Sequence, residues 1–192
     1  MLPEDLKEKL MEVDSSRDKR FEVAFWITKK PHYVRETLQW CFNEESELLV
    51  KAAWVLEIIC EHKSKSFFKY MHLFFDQLPN IKNESALRSC AKICEMLCHF
   101  HFMKTFGVVS NILNKEERKI ITECCFDWLL TDHKVACQAP AMQSLYYLGW
   151  DKDKKWIYPE LRNILTENAP HQSAGYQARA RKILKRIPKD TY

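Results

Sequence analysis

Apolar residues recur along this chain at the helical period and almost nowhere alternate as strand residues do. Phe67, Phe68, Met71, Phe74, Phe75 and Leu78 form one stripe. Ile120, Ile121, Cys124, Cys125, Trp128 and Leu129 form a second, and Leu48, Leu49, Ala52, Ala53, Leu56, Ile59 and Cys60 a third. Each is the wide apolar face of an amphipathic helix. The pattern predicts about ten helices, over 3–13, 16–29, 31–42, 46–62, 65–78, 84–103, 115–131, 133–149, 154–167 and 173–187. Ser15 or Ser16, Ser46, Ser64, Asn83, Asn114, Asp132, Asp151 or Asp153, and Ser173 stand where N-caps belong. Asn114-Lys115-Glu116-Glu117 approximates a capping box. Pro31 suits a first helical turn, Pro79 and Pro170 close helices, and Pro140 falls inside one and should kink it. The connections are short except Lys104 to Asn114, which holds Gly107. With no linker or low-complexity stretch, residues 1–192 read as a single domain.

Composition sharpens the fold class. The 192 residues include only 3 glycines, Gly107, Gly149 and Gly175, where average usage is about 7%. Phosphate-cradling loops and tight hairpins draw on glycine. Neither GxGxxG nor GxxxxGK[ST] occurs, which disfavours nucleotide-binding α/β folds and most all-β folds. The expected class is all-α.

The helices also repeat. Ala53-Trp54-Val55-Leu56-Glu57 aligns with Ala91-Lys92-Ile93-Cys94-Glu95. Ala139-Pro140-Ala141-Met142-Gln143 and Arg181-Lys182-Ile183-Leu184-Lys185 are weaker copies. Two-helix repeats of the HEAT and armadillo type recur every ~40–47 residues. Small residues in such repeats let successive helices approach closely. The repeat therefore favours a solenoid over a bundle with one shared core.

The strings AAWVLE (52–57), AKICE (91–95), CFDWLL (125–130), WIYPEL (156–161) and ARARKILKR (178–186) carry a resemblance. In that order the chain resembles a family of small bacterial HEAT-like repeat proteins whose members are often labelled adenylosuccinate lyase. The resemblance covers nearly the whole chain. It implies a right-handed α–α superhelix and no established reaction. The serine loop of the true lyases has the form S-S-x-M-P-x-K-x-N, whereas Ser15-Ser16 here runs on as Arg17-Asp18-Lys19.

Candidate chemistry is sparse. Cys90, Cys94, Cys98 and His101 share one helical face, a spacing that can present ligands to a metal. Leu87, Ala91 and Leu97 lie on the same stripe and no CxxC pair is present, so the favoured reading is buried core and no metal. Glu57 and Glu61 lie one turn apart, as an acid–base pair or as surface charges. Trp54, Glu57, Glu61, Arg88, Lys92 and Glu95 fall largely off the apolar stripes of the second helix of each pair. An exposed Trp among mixed charges suits recognition of a peptide or partner helix; the alternative is that Trp54 packs against a neighbouring repeat.

The net charge of +4 is unevenly spread. Its excess lies in the last helix and tail, through Arg179, Arg181, Lys182, Lys185, Arg186 and Lys189. Such a cluster attracts phosphates or solvates a helix end. No signal-peptide pattern opens the chain, and no apolar run reaches a membrane span's ~18 residues. The eight cysteines are therefore expected to be reduced, in the cytoplasm.

The expectation is a non-catalytic module that needs no cofactor and binds a peptide or partner protein in a concave groove. Trp54 and Arg88 would anchor it, with Glu57, Lys92 and Glu95 setting charge complementarity. Nucleic-acid binding through Arg179, Lys182 and Arg186 is the first alternative, and the labelled lyase activity the last.

Overall fold

A computed structural model describes residues 3–103 and 111–188. Among them the chain is all-α: eleven α-helices, three short 3-10 segments and no strand. The helices are α1 (Glu4–Met11), α2 (Arg17–Thr28), α3 (Pro31–Cys41), α4 (Leu49–His62), α5 (Ser64–Phe68) and α6 (Met71–Gln77). They continue as α7 (Glu84–Phe102), α8 (Lys115–Leu130), α9 (Val135–Leu148), α10 (Ile157–Asn168) and α11 (Ala174–Leu184). No helix among the described residues is long and apolar enough to cross a membrane. Most of the connection carrying Gly107 lies outside the described residues.

The chain divides into two compact units, Met1–Ile93 and Cys94–Tyr192. In the first, α4 packs on both α2 and α3. Its core includes Leu6, Leu10, Ile27, Leu38, Leu56, Ile59, Phe67 and Phe74, all buried. Phe74 meets Phe67, Phe42 and Phe75 at ring-centroid distances of 5.5, 5.8 and 5.4 Å. In the second, α9 packs on α8, α10 and α11. Leu97, Cys98, Ile121, Cys125, Leu145, Leu161 and Tyr176 fill its core.

Local chemistry accounts for several boundaries. Asn114 caps α8 reciprocally: Glu117 N–H donates to Asn114 Oδ1 at 3.0 Å, and Asn114 N–H donates to Glu117 Oε2 at 2.8 Å. Ser16 accepts from Lys19 N–H and Ser173 from Tyr176 N–H. Asn83 accepts from the amides of Ser85 and Ala86 at the start of α7. Other expected caps stand further out. Ser46 accepts from Leu48 N–H, but α4 begins only at Leu49. The helix after Asp132 begins at Val135, capped by the extended Lys134. The stripe over 65–78 is two helices, because Tyr70 leaves helical geometry at ψ 13° between α5 and α6. No Gly or Pro marks that break, and the aromatic period continues across it.

All eight cysteines are buried free thiols. Of the aligned small residues of the repeated string, Ala53 and Ala91 are fully covered and Ala139 is half-buried. Gly149 caps α9 in right-handed helical geometry, so its need is for space. A Cβ there would overlap the ring of Tyr158 on α10.

Candidate functional site

The first unit gathers most of the expected binding residues. Trp54, Glu57 and Glu61 lie on α4, at spacings of three and four residues that share one helix face. Arg88 and Lys92 lie on α7 with the same spacing. Arg17 and Arg20, which the sequence pattern did not nominate, join them from α2.

Trp54 is half-buried. It is neither a bare anchor nor sealed in the core, because the Arg20 guanidinium lies over its ring at 4.0 Å. Stacking of this kind suits a planar, weakly hydrated cation. Arg20 Nε also donates to the Asp14 carbonyl at 3.3 Å. Burial lowers the pKa of Arg20; Glu57 opposes that effect, while Arg88 and Arg17 add to it.

The carboxylates of this face are committed. Ser89 Oγ donates to Glu57 Oε2 at 2.8 Å. Arg17 pairs with Glu61 at 2.9 Å, and His62 Nε2 lies 3.3 Å from the same carboxylate. Glu57 and Glu61 are thus held by separate partners rather than facing each other as an acid–base pair. Arg88 is exposed, and among the described residues no hydrogen bond or ion pair holds its guanidinium. Lys92 is half-buried. Helix periodicity alone could not find Arg20 or Ser89, because it does not say which helix lies beside α4.

Glu95 belongs to the second unit, where it is half-buried. Tyr147 there has its pKa raised by burial first and by Glu95 second. Of the basic residues on and after α11, Arg179 is half-buried and Lys182 exposed. Arg186, also exposed, lies over the Tyr146 ring at 4.4 Å.

The cysteine face of α7 is core. Cys90, Cys94 and Cys98 are fully buried and His101 nearly so. Burial pushes the Cys98 and Cys125 thiols up, which disfavours the thiolate a metal would need. Among the described residues no three His, Cys, Asp or Glu side chains are placed to hold a metal ion.

His101 has a structural partner: Leu113 N–H donates to its Nδ1 at 3.0 Å. That bond needs the neutral ring. Burial, reinforced by Arg118, lowers the His101 pKa below its ordinary 6.5. A histidine with a depressed folded pKa binds fewer protons folded than unfolded. Its contribution is complete above the unfolded pKa and erodes as pH falls toward the folded one. The urea midpoint should therefore drop between about pH 7 and about pH 5 more steeply for the native chain than for His101→Asn. Parallel profiles would refute this.

A nearby polar group in the second unit was also invisible in the sequence. Arg118 pairs with Asp151 at 2.9 Å. Lys154 donates to Thr122 Oγ1 at 2.8 Å and to the Arg118 carbonyl at 3.2 Å. In the first unit, a cleft of about 310 Å³ lined by Arg35, Leu38, Phe42, Leu73 and Asp76 contains none of the expected residues.

No protein-family model matches the chain, and no curated protein matches it in sequence. Among solved structures, it is similar to the crystal structure of an engineered protein. The alignment has 11% identity over 95% of this chain and 96% of that one, with a TM-score of 0.39. A likeness that weak adds nothing to the all-α class that the helices themselves define.

Proposed function

We propose that this chain is a non-catalytic, HEAT-like repeat module, a right-handed α–α superhelix formed by one domain over 1–192, that docks a peptide or partner protein. Trp54 and Arg88 anchor the partner, while Glu57 and Lys92 tune its charge. The repeated string, with Ala53 and Ala91 buried in its first two copies, supports the repeat architecture. Eight free thiols fit a reducing compartment, and we place the protein in the cytoplasm.

The observation that carries the docking reading is Arg20, which lies over half-buried Trp54 at 4.0 Å and feels the charge of exposed Arg88, itself held by no described partner. Arg and Trp dominate interface hot spots because they combine large area with directional bonding. A cation left without a partner on such a face gains most from one supplied by another molecule.

Trp54→Ala and Arg88→Ala should each reduce recovery of the co-purifying partner from the native cell by about tenfold or more, a hot-spot loss. Circular dichroism should stay unchanged. Unchanged recovery for both variants would sink the reading. Salt-sensitive nucleic-acid retention, lost on neutralising Arg179, Lys182 and Arg186, would replace it with the basic-helix alternative.

A further inference from the structure

We infer that the α2/α4/α7 face of the first unit binds a carboxylate, and that its occupant is a short peptide segment carrying Asp or Glu. The inference rests on the docking reading and names the chemistry of the partner.

The Arg20 guanidinium covers Trp54 at 4.0 Å, and the charges of two further guanidinium groups, Arg88 and Arg17, act on it. Arg17 is neutralised by Glu61 at 2.9 Å. Arg20 and Arg88 are not: among the described residues no carboxylate lies within ion-pair distance of either. The carboxylate that acts most strongly on Arg20, Glu57, is tied to Ser89 at 2.8 Å. Arg20 is also half-buried, and the charges of Arg88 and Arg17 both oppose its own. An incoming anion relieves that repulsion without breaking an existing pair.

The geometry selects the kind of anion. The face of Arg20 is used by Trp54 and its Nε by the Asp14 carbonyl. What remains is the in-plane pair of terminal N–H groups, a fork that matches two carboxylate oxygens. The rotamer is already fixed by the stack, so little freedom is lost on binding. A nucleic-acid backbone fits less well. Its phosphates follow one another closely, and Glu57 and Glu61 interrupt the same face with negative charge. A single Asp or Glu side chain, with the rest of the peptide lying over the exposed part of Trp54, avoids both.

The test is to pan a random-sequence peptide library on the full chain and measure the affinity of a synthetic copy of the enriched sequence. Enriched peptides should share an Asp or Glu at a common position. Arg20→Gln and Arg88→Gln should each weaken binding about tenfold, as expected for loss of a charge-assisted bond. Arg88→Lys should retain most of the affinity. Arg20→Lys should lose nearly as much as Arg20→Gln, since lysine has neither the fork nor the planar stack. Lys119→Gln in the second unit, which lowers the net charge equally, should change nothing.

Enriched peptides without an acidic position, or binding by Arg20→Gln and Arg88→Gln as tight as that of the native chain, would overturn the carboxylate assignment and leave the docking face standing. A library that yields no binder, or an oligonucleotide that binds in its place, would overturn both.

Discussion

Phe74→Ala should destabilise the protein by about 3–5 kcal/mol, the cost of truncating a fully buried aromatic. Phe74 has no exposed surface, and its ring sits among Phe42, Phe67 and Phe75. Phe42 comes from the C-cap of α3, Phe67 from α5 and Phe75 from the next position of α6, so no single side chain can move to fill the gap. The loss has two parts, removal of the ring from its apolar surroundings and the cavity left behind. At roughly 2–4 °C per kcal/mol for a chain of this length, the melting temperature should fall well outside experimental error. Phe25→Ala is the control. Phe25 is 41% exposed, with Lys63 over its ring, and its loss should cost under about 1 kcal/mol. Comparable urea midpoints for the two variants would contradict the packing described.

Gly149→Ala should cost about 1–3 kcal/mol by overpacking, despite a backbone that alanine adopts freely. Gly149 lies at φ −65°, where an added methyl would ordinarily stabilise by about 0.4–1 kcal/mol through the unfolded state. Tyr158 reverses that sign. Its ring occupies the space a Cβ would need, and it is only 4% exposed. Its hydroxyl donates to the Tyr146 carbonyl at 3.1 Å, so it cannot swing aside without giving up a buried hydrogen bond. In a Tyr158→Ala background the same Gly149→Ala change should be neutral or stabilising. Additive effects in that double-mutant cycle would show that the close approach is not the reason for the glycine.

Glycine scarcity, helical periodicity and the Asn114 capping box were legible in the sequence because each is local. The same holds for the burial of Cys90, Cys94 and Cys98, which follows from their stripe. The break at Tyr70 was not legible: no residue there favours it on its own, and the apolar pattern is indifferent to it. Neither was the meaning of Gly149, which depends on a ring nine residues away. On the candidate face, Trp54, Glu57 and Arg88 were nominated by their position off the stripes. What each does was decided by partners on other helices. Arg20 covers Trp54, and Ser89 holds Glu57. Pairings between helices are set by tertiary packing, which a single stripe does not encode.

The proposed partner sits on the α2/α4/α7 face. Ser85 is exposed one turn before Arg88 on α7, and Lys182 is exposed on α11. A photo-reactive side chain placed at each position in turn, activated in the native cell, reports what lies against each. A discrete protein adduct is expected at position 85, disappearing when Arg88→Ala is added, with none of comparable yield at position 182. No adduct at 85, an adduct indifferent to Arg88→Ala, or nucleic acid captured at 182 would contradict that placement.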